Sequence, residues 1–133
     1  MKELNAQQLL ELKKITNSKP GFSLQGKLGE FFDLYLVCEV TARKLVYYNV
    51  REKRKKLRVD SIKSAIETFV PNDLEEIPIY KIFKSGKGKR NSNTCRSLRN
   101  NYLHSLSEND RIEIEERINV LKSDMEKWIN LFR

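Results

Sequence analysis

The chain has 133 residues, 26 of them Lys or Arg and 18 Asp or Glu, for a formal charge of +8 and a pI near 9.5. With 39% hydrophobic and 33% charged residues it is too apolar for a disordered chain, and it is long enough for one core without staples. No apolar run approaches the ~18–20 residues of a membrane span, MKELNAQQLLELKK has no apolar signal-peptide stretch, and two cysteines make neither a disulfide framework nor, by spacing, a zinc site.

The expectation is therefore a single domain over 1–133 in a reducing, cytoplasmic compartment, with no membrane and a polyanionic partner. Glycine and proline are scarce and fall at Pro20-Gly21, Gly26, Gly29, Pro71, Pro78, Gly86 and Gly88. Between these breaks the hydrophobic period is helical, with no hairpin dipeptide and no sustained alternation. The chain reads as an all-α bundle of about five helices.

Segment 4–17, with Leu9, Leu12 and Ile15 among Gln, Glu and Lys, predicts a short amphipathic helix that stops before Pro20. Segment 27–49 is apolar nearly all round and predicts the central buried helix. Its Glu39 and Arg43 stand four apart, as a structural ion pair does. The run REKRKKLR at 51–58 reads as a solvated charged turn. Segment 60–70 predicts a helix capped by Asp60, ended by Pro71. Around Pro78, segment 73–84 predicts one short or broken helix. SGKGKRNSN at 85–93 reads as an exposed loop, and 94–106 as a helix. Ser107-Glu-Asn-Asp110 has the form of a capping box and starts the last helix. There Ile114, Ile118, Leu121, Met125, Trp128 and Phe132 form a stripe at 4,3 spacing that faces the domain core, with a partner helix as the second reading. Cys38 reads as core, whereas Cys95, near the start of its helix, reads as accessible.

From 81 to 99 there are seven basic residues (Lys81, Lys84, Lys87, Lys89, Arg90, Arg96 and Arg99) and no acidic ones. This stretch runs straight into His104, the chain's single histidine. Asn100 lies one helical turn before His104 and shares its face. Imidazole moves protons near neutral pH, and guanidinium groups stabilise charge on phosphoryl oxygens. Lys84, Lys87, Lys89, Arg90 and Arg96 are the candidate RNA-backbone contacts. Nothing in the sequence gathers metal ligands or a cofactor motif.

Arg99-Asn100-Asn101-Tyr102-Leu103-His104, on a late helix of a small all-α domain, resembles the HEPN superfamily. Its motif is an Arg followed by a polar residue and, four to six residues on, a His. The resemblance implies a metal-independent endoribonuclease of the toxin or defence-effector type, with no cofactor. It implies a homodimer that brings two motifs into one cleft, where the substrate 2′-OH attacks the adjacent phosphate and leaves a 2′,3′-cyclic end. In that reading His104 is the acid/base, Arg99 stabilises the phosphate, and Asn100 orients His104 or the substrate. The toxin branch implies an antitoxin or regulatory partner. Its modified tyrosine, two residues after the His, is replaced here by Leu106. The alternatives are a non-catalytic RNA- or protein-binding module of the same fold and a small basic DNA-binding regulator.

Overall fold

The helical expectation holds in a computed structural model of the chain, which describes residues 2–18, 26–51, 56–87 and 92–133. Among the described residues there are seven α-helices and no strand: α1 (Ala6–Thr16), α2 (Gly26–Val50), α3 (Val59–Phe69), α4 (Ile79–Phe83), α5 (Cys95–Ser105), α6 (Glu108–Glu116) and α7 (Ile118–Ile129). A 3-10 turn over Pro71–Glu76 links α3 to α4.

Two breaks raise the number above the expected five. Pro78 supplies no N–H and holds the preceding Ile77 extended, so 71–83 splits into the 3-10 turn and α4. The last helix is interrupted at Arg117, whose guanidinium turns back to Glu113 (2.7 Å) and to the Asn93 carbonyl (3.0 Å). Two predicted caps also differ. The N-cap of α3 is Arg58, and Asp60 lies inside the first turn, where its charge faces the positive helix end. Ser107 is the N-cap of α6 but makes no side-chain cap bond, and the Asp110 carboxylate instead accepts from Ser105 Oγ (3.2 Å). At α1, Asn5 and Gln8 form a reciprocal capping box.

The long helix α2 is the axis of the bundle, with α1, α3, α5, α6 and α7 packed round it. All six residues of the 114–132 stripe are buried, so the stripe faces the core rather than a partner helix. Trp128 sits at the centre, edge-on to Phe83 (centroids 5.0 Å) and Phe132 (5.7 Å). Its Nε1 donates to Thr41 Oγ1 at 2.6 Å. The Thr41 hydroxyl in turn lies 2.9 Å from the Val37 and Cys38 carbonyls, so the buried indole and hydroxyl are both satisfied. Cys38 and Cys95 are both fully buried, which corrects the accessible reading of Cys95. Burial pushes the Cys95 thiol up to about 12, with the Asp124 charge adding to the shift. No helix among the described residues is long and apolar enough to cross a membrane.

Candidate functional site

The motif residues ride on α5, and the start of that helix is tightly fixed. Thr94 is its N-cap and accepts from Ser97 N–H at 3.1 Å. The Thr94 hydroxyl also donates to the Lys84 carbonyl at 2.6 Å, and Ser97 Oγ donates to the Gly86 carbonyl. Asn93 Nδ2 donates to Glu113 at 3.0 Å, and Lys87 and Asn93 form a single antiparallel bridge. The two ends of the basic loop are therefore stapled to the first turn of α5, with the Lys84 and Lys87 side chains left exposed. Lys89 and Arg90, like residues 52–55 of the charged run and the Pro20-Gly21 pair, lie outside the described residues.

Arg96 points inward. Its guanidinium donates from Nη1 to the carbonyls of Leu57 and Phe83, the latter at 3.3 Å, while Nε is buried without an acceptor. Arg99 is held against α2. Its Nη2 lies 3.1 Å from Glu39 Oε1, and its Cζ stands 4.8 Å from the centre of the Tyr35 ring. The pair is mostly enclosed, with 23% of the Arg99 side chain and 13% of Glu39 in solvent. Tyr35 is buried beneath it, and burial, followed by the Glu39 charge, pushes its phenol far above the usual range and keeps it protonated. Glu39 also meets Arg43 at 3.5 Å, as the sequence spacing predicts.

His104 lies exposed on the last turn of α5, and Asn100 lies half-buried one turn earlier. At 3.6 residues per turn these two side chains leave the helix about 40° apart, whereas Arg99 and His104 leave it about 140° apart. Within one chain, then, Asn100 and His104 share the outer face, and Arg99 turns toward α2. Tyr102 packs on Phe32 (5.8 Å) and fixes the roll of the helix. Leu103 and Leu106 are exposed beside His104, and Leu106 closes the helix in the left-handed region at φ 52°.

No family model matches the chain, and neither a curated protein nor a solved structure matches it at a significant level.

The structure thus places three kinds of predicted residue differently: His104 and Asn100 outward, Arg99 and Arg96 inward with protein partners, and Lys84 and Lys87 on an exposed loop base. The Arg99 partners Glu39 and Tyr35 lie outside the sequence-derived site. The signal for Glu39 was its place as a carboxylate in the middle of the most apolar helix. The clustering of Lys56 and Arg58 with Arg96 has no sequence signal, because it depends on how α3 meets α5. Among the described residues no group of three or more His, Cys, Asp and Glu side chains gathers as metal ligands.

Proposed function

We propose that the chain is an endoribonuclease of the toxin or defence-effector type, working without a metal ion, with His104 as its acid/base residue. The observation that carries this reading is the position of His104. The sole histidine is exposed at the end of α5, with Asn100 on the same face and a basic, acid-free stretch leading into the helix. The base removes the proton from a ribose 2′-OH, and the 2′ oxygen bonds to the adjacent phosphorus. The bond to the 5′ oxygen breaks, and the acid protonates that leaving group. The products are a 2′,3′-cyclic phosphate and a 5′-hydroxyl. One chain carries one imidazole, so base and acid come from two copies of His104 in a homodimer. Arg99, which keeps 23% of its side chain in solvent beside its Glu39 contact, stabilises the phosphate, and Asn100 orients the imidazole.

The test is incubation of the purified protein with single-stranded RNA in excess EDTA, with mapping of the new 3′ ends. Cleavage to cyclic ends that is lost in His104→Ala, with helicity unchanged, is the expected result. Undiminished cleavage by His104→Ala refutes the mechanism. A second reading, a module of the same kind that binds RNA or a partner protein without cutting, is favoured by the Arg99–Glu39 pair, because it gives the motif arginine a structural partner. It predicts salt-sensitive binding and intact RNA.

A further inference from the structure

A second basic cluster lies at the opposite end of α5 from His104. A cleft of about 300 Å³ opens between the start of α3, the turn after α4 and the first turn of α5. Its lining includes Lys56, Arg58, Ser85 and Arg96, with Asp60 carrying one negative charge against three positive. Its size is at the small end of ligand-holding clefts, fit for a phosphate group with part of its sugar rather than a whole folded partner.

The floor of the cleft is built, not incidental. Arg96 bridges the Leu57 carbonyl on one wall and the Phe83 carbonyl on the other. Both acceptors are neutral carbonyls, in contrast to Arg99 with Glu39, and the one carboxylate in the cleft lining, Asp60, faces three cations. A partly buried positive charge bonded to neutral acceptors, in a cleft with a net excess of two cations, raises the local potential where solvent screening is weak. Lys56 and Arg58 add exposed, movable cations at the mouth, and Ser85 adds a hydroxyl. These are the donors that a phosphate diester takes: ammonium, guanidinium and hydroxyl.

We propose that this cleft is a phosphate-binding subsite that holds the backbone of the RNA at a distance from the cutting site. Arg96 and His104 stand eight residues apart on one helix, about 12 Å along its axis. A few nucleotides of single-stranded RNA span that distance, so one strand can occupy the cleft and pass the outer face of α5. The cleft fixes the strand, and His104 meets a phosphate a few nucleotides from the anchor. The inference rests on the reading of RNA as the partner, and it adds which phosphate the fold grips.

The experiment measures binding of a labelled single-stranded oligouridylate over a salt series, for the wild type, for Lys56→Gln/Arg58→Gln and for His104→Ala. Each phosphate contact on a single strand contributes about 0.7 to the slope of log affinity against log salt, so losing two lowers the slope by about 1.4 and weakens binding roughly twentyfold near 0.1 M salt. His104→Ala, which leaves the RNA uncut, is expected to keep the cleft's two contacts and therefore a steeper salt slope than the double variant. Unchanged affinity and slope in the double variant overturn the subsite and leave the ribonuclease reading intact. Binding lost in the double variant while the wild type cuts no RNA keeps the subsite and removes the catalysis. A parallel titration with inorganic phosphate separates the sources. Phosphate binding that the double variant abolishes, with RNA affinity unaltered, makes this a small-anion site and overturns the RNA assignment.

Discussion

Replacing Glu39 by Ala removes the one carboxylate that meets the Arg99 guanidinium. The contact is charge-assisted at 3.1 Å, and hydrogen bonds to charged groups contribute ≈1.5–3 kcal/mol. Arg99 and Glu39 keep 23% and 13% of their side chains in solvent, so screening trims the value; we expect a loss of about 2 kcal/mol. With an unfolding entropy of ~2.1 cal/mol/K per residue, this lowers Tm by about 7 °C. Arg99→Ala loses the same bond and also the stacking over Tyr35, a further ~0.5–1 kcal/mol. The double variant leaves no orphaned charge, so its loss falls short of the sum by about 1–2 kcal/mol. Urea denaturation of the four proteins, followed by far-UV circular dichroism, measures that coupling. Losses that add to within ~0.3 kcal/mol refute the idea that Glu39 positions the motif arginine.

Leu106 closes α5 at φ 52° while 70% exposed, so Leu106→Gly is expected to gain about 1 kcal/mol in urea by relieving left-handed strain; a loss of stability contradicts the strain. The Asp124 carboxyl is raised above 3.8 chiefly by burial. Its contribution to stability is full below that value and is lost as pH rises through the folded-state pKa. Asp124→Asn should therefore match the wild type in acid and exceed it in Tm as pH rises toward neutral, and a constant offset across pH speaks against it. The raised Cys38 and Cys95 thiols should stay unlabelled by a thiol reagent at pH 8 until denaturant is added, as timed absorbance records; rapid labelling of the native chain would show that the buried placement is wrong.

Helix existence was legible in the hydrophobic patterns: the apolar run of 27–49 named the central helix, and the 114–132 stripe named six residues that are all buried. Helix ends were less legible. Asp60 fits an N-cap by type, but the chain enters α3 two residues sooner, and Arg58 takes the position. The split at Arg117 was invisible, because its cause is a side chain reaching a carbonyl 24 residues away. The same limit applied to the site. His104 and Asn100 were placed by local spacing alone, which sequence records. The partners of Arg99 and Arg96 come from α2, from Leu57 and from Phe83, and those meetings are set by packing between helices rather than by spacing within one.

The helix that carries His104 is held unevenly along its length. Thr94, Ser97 and Arg96 tie its first turn to four carbonyls, those of Lys84, Gly86, Leu57 and Phe83, Leu98 is fully buried, and Tyr102 packs on Phe32. Beyond Tyr102 the last turn is exposed and meets α6 through the Ser105–Asp110 hydrogen bond, so the imidazole stands past the main clamp. A small tilt at the clamp grows into a larger displacement at His104. Thr94, ten residues away, thereby helps to set where the His104 imidazole stands, and loosening that root would scatter the imidazole without changing a single atom near it.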